Sequence, residues 1–413
     1  MSIEFYFKRP CCLARMRYGP LGAYIDQYGA YLQTGGFPQS TGRHKLRLAV
    51  SLSVWLNRRQ LCTGDLDEAC CEQFLKHRAR THIPNNHDRI GLRELLAILR
   101  TMGVISLPAP VMLDPCEQVL QQFRNYLLHE RDLSVRTARK YPDIILVFLR
   151  GRFGSRSADW SELSAQVLVN YVQSCARRQY SLAYLGLICT ALRSFLNHLV
   201  LRDEVSPELI CALPTVWNWK FAMLPRYLST QQVRQVLDHC DRRTWIGMRD
   251  YAILLLLARL GLRANEVCTL TLDDIDWRSG QLTINAKGGS RAQMPLPADV
   301  GQAIASYLQA VPRRTACRRL FLRELAPHVG LRSPNAISCI VATALQRASI
   351  QTPFKGAHIL RHTLATQMLQ GGASLEEIGH LLRHRSPDTT RIYAKVDLAA
   401  LHTLALPWPG GVQ

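Results

Sequence analysis

The 413-residue sequence predicts a mainly α-helical protein with a small antiparallel sheet in its C-terminal half. Three observations lead to this fold class. Apolar segments such as Lys45–Arg59 lack Gly and Pro and are longer than an ordinary strand. Helix-start signals, in which Ser or Asp precedes Gln or Glu by three residues, recur along the chain. A short β region is predicted between Asp276 and Pro297.

Residues 1–112 are predicted to form an extra N-terminal helical domain. The apolar residues within Lys45–Arg59 are too dense to define a period, but the length of the run favours a buried helix. Leu66–Leu75 and Ile90–Leu99 are predicted as further helices. Pro108 then marks a break in the chain.

Residues 113–212 are predicted to form a second helical unit. Asp114-Pro115 with Glu117 is a helix start, because it offers an N-cap, Pro at the first position and an acid at the third. The order of Tyr-Leu, Thr and Arg residues is similar to that in the first segment. A diverged duplication and two unrelated bundles therefore both remain open. Three more helices are predicted, at Arg139–Arg150, Ser164–Ala176 and Ala183–Leu201.

Residues 213–228 are predicted to be a linker, and residues 229–413 a mixed α+β domain. Pro214 and Pro225 bracket the linker, which has no convincing periodicity. Ser229-Thr-Gln-Gln232 is a capping box that opens the first helix of the domain.

The β region of this domain is predicted to be a hairpin. Gly288-Gly289-Ser290 joins the strand-like segments Gln281–Ala286 and Arg291–Leu296. Helices are predicted around the hairpin at 229–240, 246–260, 298–310, 334–348, 358–370, 375–383 and 387–396.

The charge of the chain favours a polyanionic partner and excludes a preference for cationic ones. Lys and Arg number 51 against 31 Asp and Glu, a net charge of +20. Of the basic residues 43 are Arg, whose planar fork binds phosphate in a bidentate manner. Residues 1–225 and 226–413 each carry a net charge of +10. Both halves can therefore face the same nucleic acid.

A membrane location is disfavoured, and we expect an intracellular, cytoplasmic protein. The longest strongly apolar run, Tyr251–Ala258, is far shorter than the ~20 residues needed to span a bilayer. Basic residues interrupt the start of the chain, where a signal peptide would need an apolar core. The 13 cysteines are odd in number and include no CxxC pair, so we expect them to be reduced.

Six residues of the C-terminal segment suit chemistry on a phosphodiester. Two Arg forks can hold the non-bridging oxygens of one phosphate and stabilise a pentavalent transition state. Imidazoles can bind the same oxygens or move a proton, and a Lys can protonate an alkoxide. A Tyr hydroxyl, with a pKa of ~10, needs cationic neighbours or a base before it can attack phosphorus. The six are Arg263, Lys287, His358, Arg361, His384 and Tyr393.

A metal site is the alternative for the imidazoles. The pairs His358/His362 and His380/His384 have the i,i+4 spacing of ligands on one helix face. No Glu completes an HExxH motif, and several Arg among the imidazoles would repel a cation. We therefore expect neither a metal nor a cofactor.

The order and spacing of these residues resemble the tyrosine recombinase, or phage integrase, family of DNA breaking–rejoining enzymes. The motifs lie 23 residues apart from Arg361 to His384 and nine apart from His384 to Tyr393, which fits the family pattern. Arg383 stands where the family usually has Gly, and Ala286 departs in the same way before Lys287. The motifs are Leu260-Gly-Leu-Arg263-Ala-Asn-Glu266-Val, Ala286-Lys287-Gly-Gly, His358-Ile-Leu-Arg361-His362 and Leu381-Leu-Arg-His384-Arg-Ser-Pro387 followed by Thr389-Thr-Arg-Ile-Tyr393.

The resemblance covers about residues 226–396, and the second segment is similar to the family's core-binding domain. It implies a fold of N-terminal helical, SAM-like DNA-binding bundles followed by a mixed α+β tyrosine recombinase catalytic domain. The implied reaction is attack of Tyr393 on a scissile phosphate, giving a 3′-phosphotyrosyl bond without ATP or metal.

The resemblance also implies a role for each of the other site residues. Arg263 and Arg361 clamp the phosphate, and Lys287 protonates the leaving oxygen. His358 assists proton transfer from Tyr393, and His384 binds a phosphate oxygen.

The implied partners are double-stranded DNA and three further copies of the chain, with accessory proteins possible. The resemblance implies a site-specific recombinase for integration, excision or transposition of a mobile element. The apolar tail around Leu398–Leu406 either packs on its own domain or docks into a neighbouring protomer. Two other functions remain open, a non-catalytic DNA-binding regulator and a relaxing enzyme similar to type IB topoisomerases.

Overall fold

Helices dominate the protein. The computed structural model describes residues 3–83, 85–108, 113–154, 156–217, 226–285, 291–312, 317–384 and 386–396. These residues form two compact units. One contains residues 109–223, and the other contains residues 1–108 together with residues 224–413. The predicted fold class, mainly α with a small antiparallel sheet, is confirmed.

The α-helices of the described residues are α1 (Pro10–Met16), α2 (Ile25–Thr34), α3 (Gln39–Arg58), α4 (Glu68–Arg78), α5 (Asn86–Thr101), α6 (Pro115–Asn125), α7 (Val135–Phe153), α8 (Ala165–Arg177), α9 (Leu182–Val200), α10 (Glu208–Cys211), α11 (Thr230–Asp238), α12 (Trp245–Leu260), α13 (Ala264–Thr269), α14 (Ala298–Ala310), α15 (Pro334–Arg347), α16 (His358–Gln370) and α17 (Leu375–Leu382). The strands are β1 (Ile275–Asp276), β2 (Gln281–Asn285) and β3 (Arg291–Pro295).

The smaller unit, residues 109–223, is a helical bundle built from α6 to α10. Its first helix begins with the predicted capping box, in which the Glu117 amide donates to Asp114 Oδ1 at 2.7 Å. The aromatic rings of Phe123 and Phe195 pack edge to face in the core, 5.1 Å apart. Helix α9 is long and apolar enough to cross a membrane, but 56% of its apolar window is buried inside the unit. That burial is typical of the core helix of a bundle.

In the larger unit, the N-terminal helices form a core of their own and contact a C-terminal loop. Trp55 of α3 packs edge to face on Phe74 of α4, with ring centroids 5.8 Å apart. The His328 amide donates to the Gly35 carbonyl at 2.9 Å, and Ala326 packs against the N-terminal core. The His328 ring also packs on Trp245 of α12. These contacts attach the N-terminal helices to the part of the chain that carries the predicted site residues.

Helix α12 is the centre of the C-terminal core. Its residues Ala252–Leu257 are at most 2% exposed, because α14 and α16 pack against it. The sheet has the order β1-β2-β3 with both pairs antiparallel. Leu282 and Ile284 of β2 point into the core and are fully buried.

Several features differ from the prediction, including helices α1, α2 and α10, which were not predicted. Residues 387–396 form two short 3₁₀ segments, Pro387–Thr389 and Arg391–Val396, where a regular helix was predicted. Helix α13 and strand β1 were not predicted, because six and two residues are too short to show a period. The predicted hairpin turn Gly288-Gly289-Ser290 lies outside the described residues.

Gly261 ends α12 in the left-handed conformation, with φ +57°. A Cβ there would lie 2.6 Å from Leu382 Cδ2. Gly280 has a similar φ of +63°, but a Cβ at that position would meet no heavy atom within 4 Å. Both positions favour glycine by about 1 kcal/mol, but at Gly261 a side chain would also push α17 away.

We expect Gly261→Ala to lower the free energy of unfolding by about 1–3 kcal/mol more than Gly280→Ala does, because overpacking is added to the backbone strain. Urea denaturation of the two variants measures the difference. Equal losses would mean that α17 accommodates the methyl group.

Candidate active site

Three helix ends and one 3₁₀ segment bring the predicted site residues together. Arg263 is the N-cap of α13, two residues after the glycine that ends α12. His358 and Arg361 lie in the first turns of α16, and His384 follows the end of α17. Tyr393 lies in the last 3₁₀ segment. Five of the six residues are therefore neighbours, and Lys287 lies outside the described residues.

The Arg361 guanidinium joins two helix ends. It is 4% exposed and donates to the carbonyl oxygens of Gly261 and Leu382, at the C-termini of α12 and α17. Carbonyls at a helix C-terminus lack partners within the helix and carry partial negative charge. Two of the five guanidinium N–H groups are used in this way, which leaves three for a ligand.

Arg361 remains a cation at neutral pH. Burial, together with the positive charge of Arg263, lowers its pKa to about 10. The carbonyl dipoles therefore hold a fixed positive charge inside the protein.

Arg263, Glu266 and Arg383 form an ion-pair network. Arg263 donates to Glu266 Oε1 from Nη1, and its backbone amide donates to Oε2, both at 2.8 Å. Arg383 Nη2 also donates to Oε2, at 3.0 Å. Arg263 Nη2 donates to the Arg383 carbonyl at 3.1 Å. These hydrogen bonds join the motif that contains Arg263 to the one that contains Arg383.

Glu266 is the counter-charge of this network. It is 3% exposed, and burial opposes its ionisation. Hydrogen bonds and charges from Arg263 and Arg383 outweigh burial and lower its pKa below the ordinary value. A carboxylate balanced by two guanidinium groups leaves one net positive charge.

Arg383 adopts the left-handed conformation, with φ +54°, as the C-cap of α17. Few residues other than Gly take this conformation without strain. Its side chain is 11% exposed and folds back onto Glu266. Where the family usually has glycine, this chain therefore places a second guanidinium group, in addition to that of Arg263, against the buried carboxylate of Glu266.

The Tyr393 hydroxyl is bound to His362. Its oxygen lies 2.9 Å from His362 Nδ1, and the side chain is 1% exposed within a cluster of Ala365, Ile378 and Leu382. Burial raises the pKa of Tyr393 to about 12, although the charge of Arg361 opposes the rise. Burial, then the charges of His358 and Arg361, lower the pKa of His362 to about 4. Both groups are neutral at pH 7, so the hydroxyl can donate to the imidazole.

The other two imidazoles are neutral for the same reasons. His384 Nδ1 lies 2.7 Å from Thr390 Oγ1. Burial and the charges of Arg361 and Arg263 lower its pKa to about 4. His358 is exposed, and its ring centroid is 6.3 Å from that of His362. Desolvation and the same two Arg lower its pKa as well.

Sequence reasoning missed two contacts of this site. The resemblance implies that His358 assists proton transfer from Tyr393, and no sequence signal indicated that His362 is hydrogen-bonded to the hydroxyl. The i,i+4 spacing of the two imidazoles already placed them on one helix face, and only the packing distinguishes them. It also left the role of Arg383 open, since no sequence pattern reveals that its side chain turns toward Glu266.

The arrangement suits an anionic ligand with a leaving group. Two guanidinium groups supply charge-assisted donors, and neutral imidazoles can donate or accept a proton. In the described parts of the chain, no group of three or more His, Cys, Asp or Glu gathers closely enough to hold a metal ion.

Comparison with known proteins identifies the family. Residues 226–399 match the phage integrase family, and residues 120–203 match the N-terminal SAM-like domain of phage integrases. The chain is 40% identical to a Sinorhizobium fredii protein named integrase/recombinase y4rA over 100% of both chains. It is 31% identical to tyrosine recombinase XerC of Pelobacter propionicus, over 70% of this chain and 94% of XerC. The chain belongs to the phage integrase family of tyrosine recombinases.

A solved structure of this fold is a lambda integrase tetramer bound to a Holliday junction. It has a TM-score of 0.52 and 15% identity, over 74% of this chain and 86% of that chain. As a tyrosine recombinase, the protein belongs to an enzyme class that breaks and rejoins DNA strands. The resemblance inferred from four motifs is confirmed.

We expect Arg383 and Glu266 to be coupled by about 1–3 kcal/mol, because each neutralises the other in a buried setting. The free energies of unfolding of Arg383→Gly, Glu266→Gln and the double variant measure the coupling. Arg383→Ala is the control, since it loses the same ion pair but keeps the left-handed strain of about 1 kcal/mol. Additive single losses would contradict the coupling.

The pH dependence of stability should reflect His362. Its pKa of about 4 lies below the ordinary 6.5, so between pH 6.5 and 4 the unfolded chain binds a proton that the folded chain does not. Stability therefore falls as the pH drops through this window. We expect His362→Gln to reduce the loss between pH ~7 and ~5 by about 2 kcal/mol.

His380→Gln, a change at an exposed histidine of α17, is the matched control for this measurement. It should leave the pH dependence of unfolding unchanged. A similar effect of both variants would show that burial of His362 is not the cause.

Proposed function

We propose that this protein is a site-specific recombinase of a mobile element that cuts and rejoins DNA through a 3′-phosphotyrosyl intermediate. The observation that carries the proposal is the hydrogen bond between the Tyr393 hydroxyl and a neutral His362, next to the buried cation Arg361. A nucleophile, a base and a phosphate-binding charge are thereby present in one cluster.

In the proposed step, Tyr393 Oη forms a bond to phosphorus and the bond from phosphorus to the 5′ oxygen breaks. The phenolic proton passes to an imidazole, and Lys287 gives a proton to the leaving oxygen. Arg263 and Arg361 hold the non-bridging oxygens, and His384 binds one of them. Attack by the 5′-hydroxyl of another strand reverses the step, so the bond energy is kept and no ATP is consumed.

Tyr393 has to leave its pocket before it can react. At 1% exposure its hydroxyl is closed off from any phosphate of duplex DNA. His362 is the base that the hydroxyl faces while it is buried. His358 lies one turn nearer the start of α16 and is exposed, so we propose that it accepts the proton once the 3₁₀ segment has moved outward.

We propose duplex DNA as the partner and a tetramer as the assembly that recombines it. The net charge of +20 and the DNA-bound lambda integrase tetramer support both statements. Affinity for DNA should fall with salt, because phosphate neutralisation releases counterions. Such an enzyme works on the nucleoid in the cytoplasm, with or without accessory proteins.

The tail beyond Val396, proposed to dock into a neighbour, lies outside the described residues.

The domain division is part of the same proposal. Residues 1–112 form an extra helical domain, 113–212 the core-binding domain, 213–228 a linker and 229–413 the catalytic domain. The compact unit 109–223 and the family matches support the second and fourth of these. The extra domain belongs to the same compact unit as the catalytic one.

Covalent trapping tests the proposed chemistry. The protein is mixed with DNA of the mobile element and its flanks and denatured rapidly, and the protein-linked ends are sequenced. We expect discrete junctions, and we expect Tyr393→Phe to reduce them at least about 100-fold because the nucleophile is lost. Tyr227→Phe, which changes an exposed tyrosine of the same unit, should retain them.

The other outcomes point to the two alternative functions. Scattered junctions that still require Tyr393 would indicate a relaxing enzyme. Absence of junctions above the Tyr393→Phe background would indicate a DNA-binding regulator and would overturn the proposal.

A further inference from the structure

The extra N-terminal helices contain a groove that the proposed chemistry does not use. It has a volume of about 880 Å³ and lies between α1, α3 and α4. Its floor includes Trp55 and Phe74, and its edges include Arg15, Arg47 and Arg58. We call this feature the α3 groove.

The α3 groove is positively charged and lacks a counter-charge. No Asp or Glu is among its described lining residues. Of the four arginines that line it, Arg78 is paired with Asp88 at 3.1 Å. Arg15, Arg47 and Arg58 are exposed and have no ion pair with any described carboxylate.

Most acids of the N-terminal helices form ion pairs with other basic residues, so these acids do not neutralise the three arginines of the groove. Of the eight Asp and Glu before residue 108, five form ion pairs with basic residues other than these three. These pairs are Asp26–Arg17, Glu68–Arg100, Glu72–Arg89, Asp88–Arg78 and Glu94–Lys45.

The length of the groove indicates a polymer as its ligand. Arg47, Ser51, Trp55 and Arg58 recur at helical spacing and line the groove from the same side of α3. Arg58 follows Arg47 by eleven positions along the helix, a rise of about 16 Å. One strand of DNA places a phosphate every ~3.4 Å along the duplex axis, so this distance spans several phosphates. A single small anion would reach only one end of the groove, either Arg47 or Arg58.

The burial of the aromatic residues distinguishes between kinds of nucleic acid. Phe7, Trp55 and Phe74 are at most 9% exposed, so none of them offers a face on which an unpaired base could stack. Tyr18 is 57% exposed, but one ring can stack one base and not the successive bases of a single strand. The accessible charge is a row of guanidinium groups, which binds the phosphodiester backbone without reading bases.

We propose that the α3 groove binds the backbone of duplex DNA that flanks the segment held by the catalytic residues. The inference rests on the proposed function in that DNA is the substrate. The N-terminal helices are attached to the catalytic part through His328 and Gly35, so DNA in the groove stays connected to the site of reaction. Binding there adds affinity that is independent of sequence.

The salt dependence of binding tests the proposal. The full chain is titrated onto a labelled duplex of arbitrary sequence at several salt concentrations. Each phosphate contact contributes about 0.9 to the slope of log affinity against log salt. We expect the triple variant Arg15→Ala, Arg47→Ala, Arg58→Ala to reduce the slope by about 2–3.

A charge-matched triple variant outside the groove is the control. Lys76→Ala, Arg89→Ala, Arg93→Ala removes three exposed cations of α4 and α5 that do not line the groove. It should reduce the slope by less than about 1. Equal effects of the two triples would show a non-specific charge effect and would overturn the proposal.

Two natural cysteines locate the bound DNA directly. Cys11 is exposed and lines the groove, whereas Cys62 is exposed in the same set of helices but does not line it. We expect duplex DNA to slow alkylation of Cys11 at least about fivefold while Cys62 is unaffected. Protection of Cys11 by an acidic peptide but not by DNA would assign the groove to a protein partner and overturn the proposal.

Failure of this proposal can be separated from failure of the proposed function. Neither measurement requires strand cleavage, and covalent trapping at Tyr393 does not require the groove. A chain that forms adducts without protecting Cys11 would retain its proposed chemistry and lose only the groove as a DNA site.

Discussion

The arrangement of the active site depends on one buried guanidinium group. Arg361 contacts the last carbonyls of α12 and α17, two helices that otherwise end without partners for those groups. Removing the cation would leave the helix ends unsatisfied in a region closed to water, so the same contact stabilises the fold and orients the catalytic motifs. The motif needs arginine at this position because lysine could not reach two carbonyls with a planar fork.

The second constraint is charge balance. Three guanidinium groups from Arg263, Arg361 and Arg383 repel one another, and Glu266 is the described carboxylate that offsets them. The remaining positive charge is available to a phosphate, while the imidazoles stay neutral because the same charges oppose their protonation. Burial and repulsion thus set the proton states that acid–base chemistry at neutral pH requires.

Many helix starts and most of the site residues could be predicted from the sequence, because these features depend on residues that are close together in the chain. The capping boxes at Asp114 and Ser229 were both found where predicted, because a capping box depends only on residues three positions apart. The family motifs alone predicted that Arg263, Arg361 and Tyr393 share one site. Features that depend on long-range packing could not be predicted in this way. The choice of His362 over His358 at the hydroxyl, and the turn of Arg383 toward Glu266, depend on contacts more than 30 residues apart in the chain.

The burial of Tyr393 has a consequence for the genome in which such an enzyme works. In the proposed mechanism Tyr393 is the nucleophile, and while it stays in the apolar cluster it cannot react. Each 1.4 kcal/mol needed to expose it lowers its reactive population about tenfold. Non-specific contact with a chromosome then rarely leads to a nick. The positive charges that attract DNA are always present on the protein, whereas the hydroxyl that would cut the DNA is buried most of the time. A cell can therefore contain many copies of the enzyme without frequent cleavage of its DNA, because one side chain, Tyr393, is buried until it is needed.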